Sequence, residues 1–367
     1  MSQITRIYHS KLFIVELAVN TQYAQLRLDQ FLKIYYPSLS RNFIQRKINK
    51  KDIFIKNRNT LFKTKPNTKV QFQDLVCMHV DKGHLEEGEI FGDQYIPWDF
   101  ELPIIYENKD FLVVNKPPFM LTHPTGRQLF HTASNYLQEK LQQNVHSVHR
   151  LDKETSGLLI FVKKPEISEI FTDYFATQKI QKCYFLISKK NKTTFKNTLW
   201  PLIAKEPLTL AMATSTEKGF IPLGIAEKVN IDLPLEEKTQ NALTHFYLLE
   251  ENEEYLVCLA FPKTGRQHQI RLHAAYHGFP ILGDKLYLED PSYFYRYKEK
   301  ELTTEDVHKL HHFRQALHAI SLKIPNVTEK IYAPISLDLQ ELITKIFPHL
   351  NLNVLRSKIV SILEKNF

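Results

Sequence analysis

The sequence is short of the residues that mark disulfide-stapled, membrane-spanning and nucleotide-cradling proteins. Three cysteines in 367 residues, Cys77, Cys183 and Cys258, lie far apart in apolar stretches. With no Cys-x-x-Cys pair they point to neither zinc, redox chemistry nor an iron–sulfur cluster, and they read as buried thiols. The longest strictly apolar run, Tyr255 to Phe261, falls far below the about 20 residues that cross a bilayer. The opening stretch mixes charge into its apolar residues without a small-residue cleavage site, so no signal peptide is read and a cytosolic protein is expected. Glycine is scarce, 10 residues against an ordinary share of about 7%. No GxxxxGK[ST] loop, no serine in a strained elbow and no His-Glu-x-x-His occurs, which removes support for NTP hydrolysis, hydride transfer and zinc-dependent hydrolysis.

What is present is a globular chain with an uneven charge. At 43% hydrophobic and 24% charged residues it is ordinary folded protein, long enough for two or three domains. The formal charge is +8, yet Arg41 to Lys69 alone carries ten basic residues against one acid, Asp52. A basic block on an otherwise neutral chain is the footprint of a polyanion partner, since each Lys or Arg near a phosphate releases a condensed counterion. A Lys-rich solvated surface would look the same by composition.

The block has helical and strand patterning. Leu28, Phe31, Leu32, Tyr35 and Tyr36 follow the spacing of an amphipathic helix ended by Pro37. Ser40 can cap a second helix carrying Phe43, Ile44 and Ile48. A strand at Ile53 and Ile55, a turn over Lys56-Asn57-Arg58-Asn59 and a second strand around Val70-Gln71-Phe72 complete a small module within 1–82. Residues 83–100 turn acidic, gain glycines and read as a linker. Residues 101–367 then form a larger α+β domain: a hairpin from Ile104–Tyr106 and Phe111–Val114, a helix capped by Thr132, and β-rich runs over 148–162 and 182–187 alternating with short helices. The last residues, from Asn351, are amphipathic.

Three segments concentrate chemistry. In His149 to Phe161 a cluster of charges and hydroxyls, Arg150, Asp152, Lys153, Glu154, Thr155 and Ser156, runs straight into a buried-looking strand. In Lys182 to Ile187, Lys182 and Tyr184 share one strand face and Cys183 and Phe185 the other. Gly265 to His273, with Arg266, His268 and Arg271, reads as a helix opening after the glycine and ending at Gly278. Alone, Asp152 would pass for a strand-edge carboxylate, Tyr184 for a half-buried strand tyrosine and Arg271 for a helix-surface arginine. Sixteen histidines invite a metal site at His311-His312 or at His268 with His273, but adjacent histidines point apart and no metal is expected.

Residues 25–74 resemble the S4-like RNA-binding domain, in Leu26-Arg27-Leu28-Asp29, Ser40-Arg41, Ile44, Ile48, Ile53, Ile55 and Asn57. Residues 104–335 resemble the pseudouridine synthases of the large-subunit ribosomal RNA and tRNA type. That likeness is strongest in His149–Phe161, in Gly265–His273 followed by Gly283-Asp284 and Tyr287, and in Arg314-Gln315-Ala316-Leu317-His318-Ala319. The resemblance implies a mixed, largely antiparallel sheet with flanking helices, and an isomerase that acts on structured RNA without a cofactor. It implies Asp152 as the catalytic aspartate, Tyr184 as the aromatic stacked on the target base and Arg271 as the cation paired with Asp152. Arg150, Lys182, Arg266 and His268 would bind substrate, Arg150 filling the gap left by a flipped uridine. Large-subunit (23S) rRNA is the expected substrate and a monomer the expected state. A tRNA substrate, or a non-catalytic RNA-binding protein of ribosome assembly, are the competing expectations.

Overall fold

The computed structural model describes residues 4–8, 12–36, 41–56, 64–81, 88–91, 94–97, 101–124, 131–190, 201–203, 208–211, 239–242, 244–288, 290, 292–299 and 301–366. Ahead of the basic block, β1 (Ile4–Tyr8) and β2 (Leu12–Ala18) pair antiparallel, two strands the sequence pattern did not announce. α1 (Leu28–Tyr35) forms where the apolar spacing predicts it and buries Leu28, Phe31, Leu32 and Tyr35. α2 (Arg41–Asn49) buries Ile44 and Ile48 and leaves Arg41 and Arg46 exposed. The two helices are tied by a buried carboxylate. Asp29 accepts hydrogen bonds from Arg27 Nε and Nη2, each at 3.1 Å, and from Arg41 Nε and Gln45 Nε2, each at 3.0 Å.

β3 (Ile53–Ile55) appears as expected, but its partner is β4 (Leu75–Asp81) and not a strand at Val70–Phe72. Val70 is buried in the same core as Val76 and Met78, but Phe72 is exposed, and it is Leu75–Asp81 that pairs with both β2 and β3. The strand order is β1-β2-β4-β3, and this sheet and its two helices enclose an apolar core of their own. Pro37, the Ser40 cap and the turn at 57–59 lie outside the described residues.

The expected linker contains a hairpin, β5 (Gly88–Phe91) with β6 (Gln94–Pro97). Its acidic, glycine-bearing composition masks two buried residues, Glu89 and Phe91, which stand two apart on one strand face. Phe91 packs among Phe119, Phe313 and Tyr297, so this segment is joined to the larger domain by a side-chain core.

The larger domain begins with β7 (Ile104–Glu107) and β8 (Phe111–Lys116), as the sequence predicts. Thr132 caps α3 (Ala133–Leu141), its hydroxyl accepting from the Asn135 amide. There follow β9 (His146–Ser147), β10 (Ser156–Val162), α4 (Pro165–Ala176), β11 (Gln181–Lys189), β12 (Pro201–Ile203), β13 (Leu208–Ala211) and β14 (Thr239–Ala242). Next come β15 (Thr244–Glu251), β16 (Tyr255–Pro262), α5 (Gln269–Tyr276), α6 (Ser292–Glu299) and α7 (Thr304–Leu310). The chain closes with β17 (Leu317–Lys323), β18 (Ile331–Tyr332), α8 (Leu337–Ile346) and α9 (Leu352–Asn366).

The main sheet runs β12-β15-β16-β11-β17-β10-β8-β7, with β18 on β17 and β9 on β10. Every described pairing is antiparallel except β10 with β17. β10 and β16 read as continuous apolar runs because both of their faces are covered. One core packs α3 and α4 against β8 and β10; a second gathers β11 and β16 with α8 and α9. Leu355, Ile359 and Leu363, one turn apart on α9, are buried in that second core, so the amphipathic end packs on the domain. All three cysteines are buried and free. Among the described residues no helix is long and apolar enough to cross a membrane.

The parallel contact between β10 and β17 depends on Gly157. Its φ is +107°, and a Cβ there would lie 2.3 Å from the Ala319 carbonyl oxygen and 2.5 Å from the Ala319 nitrogen. Backbone atoms of a central strand cannot give way cheaply. Gly157→Ala is therefore expected to destabilise the domain by about 3 kcal/mol, read as a lowered melting temperature, and a melt equal to wild type would refute the strain.

Candidate active site

The loop between β9 and β10 carries Arg150 and Asp152, and its backbone is pinned from several sides. The Thr122 hydroxyl bonds both the amide and the carbonyl of Leu151 at 3.1 and 3.2 Å. Lys116, with no exposed surface, donates to the carbonyls of Pro117, Met120 and Lys153. Arg314, also fully buried, donates to the Glu154 carbonyl at 3.0 Å and is itself neutralised by Asp338. Lys285 and the Gln315 amide both bond the Glu154 carboxylate, and the Gln315 side chain bonds Thr155. Three buried basic side chains therefore hold the turn that follows Asp152, and a side chain placed on such a turn keeps its aim.

Asp152 is met from the other side by α5. That helix opens at Gln269 and not directly after Gly265; residues 265–268 form a loop, with His268 in the left-handed region at φ +55°. The Gln269 carboxamide closes this loop, accepting from the Arg266 amide and the Thr264 hydroxyl. The helix ends before Gly278, as the sequence predicts. Within its first turn, Arg271 is buried and donates from Nη1 to Asp152 Oδ2 at 2.9 Å. Its Nε and Nη2 form a fork on Asp284, at 2.6 and 2.8 Å. The guanidinium also lies over the Tyr287 ring, 5.1 Å from its centroid.

This arrangement fixes charge. Burial alone would push the Asp152 carboxyl up, but His268 and Arg271, with hydrogen bonds from Arg271 and Gln315, outweigh it and hold it down at about 2. Burial and the nearby Arg271 lower His268 to about 4, so near neutrality it is uncharged and Arg271 supplies the balancing charge. His268 Nδ1 stands 2.9 Å from the Tyr287 hydroxyl, and Nε2 3.8 Å from Asp152. Asp284 is held ionised against its burial by the same arginine.

A cavity of about 330 Å³ lies over Asp152, within the range of small-molecule and base pockets. Asp152 and Arg271 line it together with Tyr184 and Lys182 of β11 and with Arg150, Arg266 and His268. All seven residues singled out in the sequence thus meet at one cavity, although they come from three separated segments. A β-bulge against β17 falls between Cys183 and Tyr184. Burial first, then the Asp152 charge, pushes the Tyr184 hydroxyl well above its ordinary value, so it stays protonated. Lys182 is lowered to about 8 by burial, its ammonium lying 3.4 Å from the Thr264 carbonyl and 5.7 Å from the centre of the Phe175 ring. Arg150 stands exposed beside the cavity.

Among the described residues no group of three His, Cys, Asp or Glu side chains could hold a metal ion. His273 bonds Thr244, His311 bonds Tyr255 and His312 bonds Asp338. Sequence reasoning did not assign roles to Asp284, Gln315, Lys116, Arg314 or Lys285. The readable signal was charge inside apolar runs, as in Lys116 at the end of Phe111–Val114 and Asp284-Lys285 after Phe279–Leu282.

Residues 110–276 match the family model described as RNA pseudouridylate synthase. The chain is similar to Ribosomal large subunit pseudouridine synthase D of Borreliella burgdorferi, 30% identical over 275 residues that cover 71% of this chain and 76% of the relative. It is similar also to Ribosomal large subunit pseudouridine synthase D of Blochmanniella floridana, 29% identical over 342 residues, 90% of this chain and 97% of the relative. The solved structure titled Human RNA Pseudouridylate Synthase Domain Containing 4 covers 66% of this chain and 92% of its own, at 20% identity and a TM-score of 0.47.

Proposed function

The chain belongs to the RNA pseudouridine synthase family, and we propose that it acts on large-subunit ribosomal RNA with Asp152 as the reacting carboxylate. As an isomerase of this family it converts uridine to pseudouridine in RNA: the C1′–N1 bond breaks, the uracil turns, and C5 is joined to C1′. The relatives named above carry the ribosomal assignment. The observation that carries the assignment of Asp152 is its place at the cavity, ionised, aimed by Arg271 and facing Tyr184.

Both halves of the reaction need a carboxylate beside the sugar. Ionised Asp152 serves as nucleophile at C1′ or as a base on the ribose, with Oδ2 fixed by Arg271. A uridine stacked in folded RNA hides C1′ and C5, so it is flipped into the cavity at a cost of a few kcal/mol. Tyr184 then stacks on the base with its hydroxyl protonated, and Arg150 at the rim fills the space left in the RNA. Arg266 and His268 line the same wall and contact the nucleotide. The sheet and two helices of the N-terminal module, an S4-like unit in this reading, dock the RNA through the phosphate charges facing the basic block.

Lys182 gives this reading a pH signature. Its amine is lowered to about 8, so it is mostly charged near pH 7 and loses that charge as pH rises through 8. If that charge holds a substrate phosphate, KM for RNA rises above about pH 8 and kcat does not, and Lys182→Met has a high KM at every pH with no alkaline limb. A wild-type KM that stays flat to pH 9.5 would remove Lys182 from phosphate binding.

The deciding experiment is pseudouridine mapping on total RNA from cells with and without the gene, complemented by wild type or by Asp152→Ala. A signal in one large-subunit ribosomal RNA loop, restored by wild type alone, supports the reading. A lost signal in tRNA would move the substrate, and no lost signal with full complementation by Asp152→Ala would leave only RNA binding.

A further inference from the structure

We propose that Glu89, on the hairpin between the N-terminal module and the larger domain, is a positioning residue for Asp152, and that the hairpin is thereby part of the active site. The inference rests on the reading of Asp152 as the reacting carboxylate.

Lys153 follows Asp152 directly in the chain. Its ammonium pairs with Glu89 at 2.5 Å, and the Glu89 carboxylate also accepts from the Tyr297 hydroxyl at 2.9 Å. Only 6% of the Glu89 side chain and 21% of the Lys153 side chain is exposed. Two residues along the same strand, Phe91 stacks on the Tyr297 ring at 5.6 Å with the planes 5° apart. The Lys285 ammonium lies 5.0 Å from the centre of one ring and 4.8 Å from the other, and bonds Glu154, the next residue of the loop. The hairpin therefore reaches the catalytic loop twice, through Glu89 to Lys153 and through Phe91 and Lys285 to Glu154.

Charge explains why the Glu89 contact matters to the reaction and not to packing alone. Lys153 and Arg271 are both cations near Asp152, but only Arg271 holds the carboxylate. Glu89 draws the Lys153 ammonium to the hairpin side. Without that partner the residue next to Asp152 loses its tether to the hairpin, and the loop that aims the carboxylate at the sugar loosens. Misplacing a reacting group by about 1 Å costs up to about a hundredfold in rate.

The test is steady-state and single-turnover kinetics of full-length Glu89→Gln on a folded RNA substrate. The expected result is a kcat about tenfold below wild type at unchanged KM, since the loss falls on aim and not on RNA binding. A second arm combines it with Lys153→Met. Removing the ammonium that Glu89 holds should make Glu89→Gln nearly silent, with the double variant within about twofold of Lys153→Met alone. A Glu89 that only supports packing would lower the melting temperature and lose the same factor in both backgrounds, which would overturn the proposal, as would a wild-type kcat in Glu89→Gln. Should that variant fail to fold, Tyr297→Phe keeps the ring on Phe91 but removes the hydroxyl that donates to Glu89. A kcat about threefold lower at constant KM supports the proposal, and an unchanged kcat overturns it. Asp152→Asn is assayed in parallel: an active Asp152→Asn defeats the reading of Asp152 itself, whereas an inactive one beside a wild-type-like Glu89→Gln defeats only the role of Glu89.

Discussion

Asp152→Asn is expected to abolish isomerisation, with turnover reduced by at least about 10⁴-fold, while RNA affinity stays within about twofold of wild type. The substitution is nearly isosteric and removes the one group at the cavity that is both an ionised carboxylate and held in place by an arginine. An amide can keep a hydrogen bond from Arg271 but can neither form a stable ester at C1′ nor take a proton from the ribose. A factor of 10⁴ is about 5.4 kcal/mol of lost transition-state stabilisation, reasonable for a residue that reacts and too large for one that merely hydrogen-bonds substrate. The fold should survive, because Arg271 keeps its bidentate partner Asp284 and no charge is left buried alone. The reaction expels the C5 hydrogen, so tritium release from RNA labelled at uridine C5 reads turnover directly. Turnover within tenfold of wild type would take the chemistry away from Asp152.

The sequence was most legible where local chemistry and burial agree. Leu28, Phe31, Leu32 and Tyr35 build α1 because one helix face suffices to bury them, and Thr132 caps α3 with an interaction three residues long. The meeting of Asp152, Tyr184 and Arg271 was readable for a different reason: each sits in a distinctive run of residues whose likeness to a family supplies the long-range pairing that periodicity cannot. Spacing alone places Lys182 and Tyr184 on one face of a strand, but nothing local says that a helix 87 residues later lays Arg271 against a loop near residue 152.

The misreadings share a cause. Val70 to Phe72 alternates as well as Leu75 to Asp81 does, and only the pairing with β2 and β3 selects the second. Residues 83–100 read as a linker because they turn acidic and gain glycines, yet Glu89 is buried with a partner in Lys153 and Phe91 by aromatic rings from distant elements. The buried basic residues beneath the loop are hidden likewise. Lys116, Lys285 and Arg314 look like surface residues by type, and what makes them interior is a set of carbonyls and carboxylates brought together only by the finished sheet.

Arg271→Leu should separate the two jobs of that residue. At neutral pH it leaves Asp284, whose side chain has no exposed surface, and the largely buried Asp152 without their cation, a loss of about 3–5 kcal/mol of stability together with at least about a thousandfold of activity. The stability loss carries a definite pH dependence. In wild type the folded-state Asp284 carboxyl is depressed against its burial by Arg271, so its contribution is complete above the unfolded value of about 4 and fades as pH falls through the folded one. In Arg271→Leu the same carboxyl has only its backbone amides and His268 to set against burial, its affinity for a proton rises, and the variant gains on protonation what wild type loses. The melting-temperature gap between variant and wild type should therefore be widest near pH 7 and narrow steadily towards pH 4, and a gap independent of pH would mean that lost packing, not charge, causes it. Adding Asp284→Leu to Arg271→Leu removes the stranded carboxylate and should recover much of the stability, since an apolar pair of similar volume replaces a buried ion pair at little cost. Activity should not return with it: Asp152 would then stand in a stable fold without the arginine that aims it, which is the condition that distinguishes a guanidinium kept for catalysis from one kept for the core.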